Sequence, residues 1–420
     1  MTIKIRKKKS VWCAMNYYVI VFSFLYILVP ILTIGSLGNV LLYISILLLV
    51  ACIVFDPKRY NVDTIFSFMS IFLVILILHY GKWVTITQKR TLLNTVISLG
   101  TFWMFYVLSD STYRLPYEDR KKMLNLYLIL IGITSVTTIL GCFRFPLASR
   151  DLAGGVSAEQ TLLYTGLNIG GYDFIYGVVI ATPYLMYLMY KSRGIKKMFI
   201  IAVIVVSVIA VIISQYTTAL VLISTSIFLM IIYFSAYTRR RKVILYFILA
   251  AGVFFCVSGG LTLILPYVVD FLWKSDKSIA ARAFEQIIGY LSGGGWYGNS
   301  QIRAELRRQS MQVFLHNPLY GCVFHPQKLG GHSEIIDLMG SGGVIGLGLF
   351  VYLILRFYKK MSLKIKDVNL KFTFLVDLGA FIFLAYINTA FIAPDIAISC
   401  FFLPTLLFDV TEKIPAHVIQ

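Results

Sequence analysis

Charge is scarce in this chain, and negative charge is scarcest. Only 14% of its 420 residues are charged, and Asp and Glu together number 19. Soluble domains carry about 25% charged residues, so a soluble domain of this length is excluded. Metal-binding patterns are missing as well. The six cysteines (Cys13, Cys52, Cys142, Cys256, Cys322 and Cys400) show no CxxC spacing, which argues against a zinc site. No Asp-x-Asp occurs, so nothing supports a carboxylate-held divalent ion on a nucleotide sugar. Walker and GxSxG patterns are absent too. Neither a cofactor nor a metal is expected.

The remainder is apolar. Hydrophobic residues make up 59% of the chain, and the mean hydropathy is +0.82. A helix needs about 20 apolar residues to cross a bilayer. Candidate spans fall at 16–34, 39–55, 64–80, 91–109, 124–141, 172–190, 198–214, 217–236, 243–264, 341–358, 372–388 and 392–408. The fold class is therefore an all-α integral membrane protein with about twelve transmembrane helices and both termini on one side. Residues 1–264 hold the first nine helices. Residues 265–340 form one large outer loop with short helices, and 341–420 hold the last three helices and a tail. The basic start MTIKIRKKKS looks like a signal peptide. The apolar run continues from Tyr17 to about Ile34 without a small-residue cleavage site, so a retained first helix is expected.

The net charge of +19 does not point to nucleic acid. The basic residues cluster between hydrophobic runs, which is how membrane proteins mark their cytoplasmic side. With the N-terminus inside, 26 of the 38 Lys and Arg fall in inside segments. Short loops such as Lys191 to Lys197 and Arg239 to Lys242 carry the bias. Two outer loops are long, Cys142 to Gly171 and Pro266 to Gly340. Cys142 and Cys322 both fall on that side, where a disulfide between them is one option; the other is that they act as small hydrophobes.

The chemistry available outside is concentrated in the later loop. It begins with an amphipathic stretch in which Trp273 is placed like an interfacial anchor, and a flexible Gly-rich segment follows. A helix then starts near Asn299 or Ser300 and ends at Asn317-Pro318. It carries Arg303 and Arg307, four apart on one face, with Arg308 beside them and Arg282 upstream. Guanidinium forks suit phosphate oxygens, although a solvated face or ordinary headgroup contact would also explain them. His332 follows two glycines that would let backbone approach a ligand, and Ser333 can cap the next helix. A neutral imidazole can take a proton from a hydroxyl; Glu334 and Asp337 can orient it or act as bases. A loop histidine that only bonds a carbonyl is the plainer reading. His316 and His325 are weaker candidates. Gly342 and Gly346 read as a helix-packing GxxxG. Asp173, Asp377 and Asp395 lie in or beside spans, where acids often line pathways.

Taken together, Arg303, Pro318-Leu319-Tyr320-Gly321, His332-Ser333 and Gly343-Val344-Ile345-Gly346 resemble the late loop of the O-antigen polymerase and ligase superfamily. These are bacterial membrane glycosyltransferases that use polyprenyl-diphosphate-linked sugars. The resemblance covers the topology of the whole chain. It implies a GT-C-like fold, a multi-pass place in the bacterial cytoplasmic membrane with cytoplasmic termini, and metal-independent inverting transfer. It implies lipid-linked oligosaccharides as donor and acceptor, and a chain-length regulator as a further partner. Arg303, Arg282, Arg307 and Arg150 would bind diphosphate; His332, with Glu334, would deprotonate the acceptor; Trp296 and Tyr297 would stack on sugars or anchor at the interface. Two departures stand out. Arg307 occupies a position where relatives often have tryptophan. Ser214-Gln215-Tyr216-Thr217-Thr218 stands where many have Ser-Arg, so one phosphate-binding arginine is either absent or supplied by Arg150 or Arg282. A ligase and a lipid-oligosaccharide flippase are the alternatives to a polymerase.

Overall fold

The computed structural model describes residues 11–55, 115–154, 156–235, 261–275, 277–289, 298–322, 329–390 and 393–408, with single positions at 108, 109, 112, 324 and 327. Every regular element among them is helical, as apolar segments in lipid require, since only a helix satisfies its own backbone within one segment. In chain order these are α1 (Val11–Leu28), a 3-10 turn at Pro30–Thr33, α2 (Gly35–Phe55), α3 (Tyr117–Arg144), α4 (Ala148–Gly154), α5 (Ala158–Gly166), α6 (Tyr172–Lys191), α7 (Gly194–Ile213) and α8 (Thr217–Ser235). The later helices are α9 (Leu261–Lys274), α10 (Ser278–Gly289), α11 (Gly298–His316), α12 (Glu334–Lys364), α13 (Val368–Ile387) and α14 (Pro394–Leu407).

Six of these, α3, α6, α7, α8, α12 and α13, are long and apolar enough to cross a membrane, and α1, α2 and α14 contain shorter apolar runs. The expected spans at 64–80, most of 91–109 and most of 243–264 lie outside the described residues, as do Arg239 to Lys242, Trp296, Tyr297 and His325.

α6 is the axis of the bundle. Its residues from Phe174 to Leu188 are all buried, because α7, α8, α13 and α14 pack around it. Pro183 lies inside it, and the surrounding helices hold it in place. Gly177 on α6 admits the start of α14, since a Cβ there would stand 2.6 Å from Asp395 Cβ. α14 widens to a π-helical turn at Ile398–Phe402, which buries Phe401 against Phe357 and Phe381.

Two boundaries differ from expectation. α9 runs on to Lys274, past the expected loop start at 265, and packs against α10 through Val269, Leu272, Ala280 and Ala281. α12 begins at Glu334 and breaks at Gly343, where φ is 61° and ψ is −153°. The break falls between Gly342 and Gly346 and receives the Pro318–Gly321 turn. Val344 N donates to Pro318 O at 2.8 Å and Cys322 N to Gly340 O at 3.0 Å. A Cβ on Gly343 would lie 2.4 Å from the Leu319 carbonyl carbon, so glycine is required there. Cys142 and Cys322 are both free and buried, so the disulfide option is not realised.

The bundle has two distinct ends. One gathers the 142–171 connector, the α7–α8 turn, the start of α12 and residues 388–390. The other carries the basic connectors: Lys191 pairs with Asp367 at 2.7 Å, Arg120 Nη1 donates to Phe408 O at 2.6 Å, and Lys196 lies near Lys121.

Candidate functional site

Three tyrosines form the centre of the first end. Tyr172 and Tyr176 follow one another by one turn on α6, and their ring centroids are 4.5 Å apart. Tyr216, from the α7–α8 turn, stands 6.0 Å from Tyr172 and 5.8 Å from Tyr176. Each hydroxyl is directed. Tyr172 donates to Thr389 O and Tyr216 to Ser149 O, both at 2.7 Å. The Tyr176 hydroxyl meets the Thr218 side chain, and Asn388 Nδ2 donates to it at 3.4 Å. Burial, with Tyr176 alongside, holds the Tyr216 phenol well above its ordinary range, so it remains a donor.

Positive charge reaches this cluster from two directions. Arg150, on α4, donates from Nη1 to Gln215 O at 3.1 Å. Arg303, on α11, arrives from the other long connector. Both guanidinium charges act on the Tyr176 hydroxyl. Two arginines separated by more than a third of the chain's length thus lie within electrostatic range of one hydroxyl. The other two expected arginines are placed differently. Arg282 is exposed and lies 5.9 Å from the Trp273 ring; Trp273 Nε1 in turn donates to Glu285 at 2.7 Å. Arg307 is half-buried one turn along α11 from Arg303. Trp273 is itself exposed, as an interfacial residue would be.

The histidine loop is built on α11. A Cβ on Gly330 would fall 2.1 Å from Leu306 O, and Gly330 N donates to Ser310 Oγ at 2.9 Å. Gly331 has φ 79°. The two glycines therefore allow close packing on α11 and a left-handed turn. Asp337 clamps the loop: Oδ1 accepts from Ser310 Oγ at 2.6 Å and from Gly331 N at 3.2 Å, and Oδ2 from Ser333 N at 3.2 Å. That placement makes Asp337 an anchor. Ser333 caps α12 as expected, with Oγ accepting from Ile336 N. His332 is exposed at the top of this loop, two residues past Gly330, which packs on Leu306 of α11. His316 is exposed at the far end of α11, with Nδ1 against Gln312 O at 2.7 Å.

Glu334 is buried at the first turn of α12. Its Oε2 accepts from Ala390 N at 2.8 Å, and its N–H donates to Asn388 O at 3.3 Å. Its charge acts on Tyr172. Asp173 also acts on Tyr172 and Tyr216, and on Asp395. Asp173 is exposed while Asp395 is 5% exposed. Basic and acidic side chains therefore both lie within electrostatic range of the tyrosine cluster. Such a surface can hold an anion and, beside it, a group rich in hydroxyls. Asp377 is elsewhere, buried mid-bundle with Oδ2 accepting from Tyr184 at 3.0 Å.

The tyrosines and Asn388 had no sequence signal beyond a Tyr pair four residues apart after Gly-Gly, a pattern that also fits an interfacial belt. In sequence comparison, no family model matches the chain and no curated protein matches it.

Proposed function

We propose that this chain is a membrane glycosyltransferase that joins polyprenyl-diphosphate-linked oligosaccharide repeat units of a surface polysaccharide at the outer face of the bacterial cytoplasmic membrane. The observation that carries the reading is that Arg150 and Arg303, from the two long connectors, both lie within electrostatic range of Tyr176, on the bundle end opposite the basic connectors. Positive charge in short connectors marks the cytoplasmic side, so the paired arginines face outward, and both termini of a twelve-span, GT-C-like chain lie inside. Fixed guanidinium charge there suits a lipid diphosphate.

Arg150 also answers the departure noted in the sequence. Its guanidinium rests on the carbonyl of Gln215, at the position where relatives of the resembled family carry arginine. Arg150 thus takes the role of the missing residue, and Arg282 is the weaker candidate.

In the reaction, the acceptor hydroxyl oxygen bonds to the anomeric carbon while the bond from that carbon to the diphosphate oxygen breaks. The electron pair leaves with the diphosphate, whose charge the arginines stabilise as it develops. The hydroxyl proton passes to His332 or to Glu334. Attack opposite the leaving group inverts the anomeric centre.

The test is reconstitution of the purified chain with a lipid-linked oligosaccharide, without nucleotide sugar. Products of stepwise greater length support the polymerase. Transfer of the glycan to a different lipid acceptor without growth identifies a ligase. Translocation with no new bond identifies a flippase and ends the glycosyltransferase reading.

A further inference from the structure

Three buried polar atoms around the tyrosine cluster have no hydrogen-bond partner among the described residues: Ser214 Oγ, Gln215 Oε1 and Asp395 Oδ1. Their residues are 2%, 5% and 5% exposed. A buried polar atom without a partner costs about 1–3 kcal/mol, so three at one end of the bundle call for a ligand that satisfies them. Gln215 Oε1 is an amide oxygen that only accepts, and Ser214 Oγ and Asp395 Oδ1 can accept as well. The complementary ligand must therefore offer donors.

Their placement follows an arc. Gln215 holds a left-handed backbone, φ 57°, unusual for a residue with a side chain. The Arg150 bond to its carbonyl and the adjacent Tyr216 hold it there. Tyr216 packs on Tyr176 of α6, Gly177 beside it lets Asp395 settle against that helix, and Asp173 lies one turn before Gly177 on the same helix face. The half-buried Tyr172 ring lies along the same arc. Acceptor atoms interleaved with aromatic faces are suited to sugar rings, which carry hydroxyl donors at their edges and C–H groups on their faces. A lipid diphosphate esterified at both ends carries no hydroxyl donors of this kind.

We propose that Gln215, Asp173 and Asp395 form a glycan subsite beside the arginine pair, accepting hydrogen bonds from sugar hydroxyls and so setting which repeat unit is accepted. This rests on the glycosyltransferase reading for its setting but on different residues. The arginines hold the diphosphate; this arc reads the sugar.

The experiment uses the full-length chain in detergent and two probes. One is the free repeat-unit oligosaccharide, released by mild acid from the producing cell's own surface polysaccharide. The other is inorganic pyrophosphate. Binding is followed by thermal shift and by equilibrium dialysis. Gln215→Leu, Asp395→Asn and Asp173→Asn should each weaken oligosaccharide binding roughly tenfold, the scale of one lost buried hydrogen bond, and leave pyrophosphate binding within twofold. Asp173 is exposed, so its variant tests the subsite even where a buried change perturbs folding, and retained pyrophosphate binding reports an intact site. Unchanged oligosaccharide binding in Gln215→Leu and Asp173→Asn overturns the subsite. So does the absence of saturable oligosaccharide binding by the unaltered chain. If the oligosaccharide binds through this arc while pyrophosphate does not bind at all, the subsite stands and the diphosphate reading falls.

Discussion

At the residue scale, the functional proposal depends on which cations face the tyrosine cluster. Arg150 and Arg303 do, and Arg282 sits on Trp273. Arg303→Ala and Arg150→Ala should each lower glycan extension by roughly 100-fold or more, the usual cost of removing a group that stabilises developing charge. Arg282→Ala should cost far less. Parallel extension assays on the three variants check this ordering. His332 and Glu334 separate in the same way. His332 is exposed on a clamped loop, whereas Glu334 already anchors Ala390 N. His332→Ala should therefore remove turnover while the protein keeps its melting temperature. Glu334→Gln should lower the melting temperature, because it weakens the join between α12 and the 388–390 turn. Arg303 and His332 stand out in the sequence as candidates because polar residues are conspicuous in an apolar chain. Tyr172, Tyr176 and Asn388 were not, because tyrosine and asparagine at helix ends serve interfaces as often as sites.

At the scale of elements, the break in α12 does the positioning. It holds the Pro318–Gly321 turn, and that turn fixes the far end of α11. Gly343→Ala places a Cβ 2.4 Å from the Leu319 carbonyl carbon on a backbone with φ 61°. The expected loss is about 2–4 kcal/mol, seen as a melting temperature several degrees lower in detergent. Gly348, where a Cβ meets nothing within 4 Å, is the control, and Gly348→Ala should not destabilise. The sequence carries both motifs, but spacing alone cannot tell glycine used for helix packing from glycine used for a helix break. The difference lies in which backbone comes close, and that is a tertiary fact.

At the scale of the whole molecule, the two ends should respond differently to pH and to reagents. At the basic end, burial works to raise the Asp367 carboxyl. Hydrogen bonds from Lys191, from the Asn369 N–H and from Tyr187 outweigh it, and the carboxyl rests below its ordinary range. A depressed carboxyl stabilises the fold above its unfolded pKa, near 3.9, and that contribution is lost as pH falls through the folded value. Unaltered protein should therefore melt above the Asp367→Asn variant at pH 7, and the gap should close below about pH 4. Sidedness is checked with cysteines. Glu159 and Lys366 are exposed at opposite ends, and Cys52, Cys142, Cys322 and Cys400 are buried. A membrane-impermeant thiol reagent on intact cells should label Glu159→Cys and not Lys366→Cys. The opposite pattern would put the arginine pair in the cytoplasm and end the proposal.

The sequence by itself determined that the chain is helical and apolar enough to cross a membrane several times, because hydrophobic run length and loop charge are local properties read by lipid. It also determined where the polar connectors lie. Only the tertiary structure decided that Arg150 rests on the Gln215 carbonyl near the tyrosines while Arg282 lies by Trp273. It likewise decided that Gly343 breaks a helix and that unpartnered acceptors gather beside the tyrosines. Those outcomes depend on which distant backbones approach within a few ångströms, and a one-dimensional pattern of hydrophobicity holds no record of such contacts.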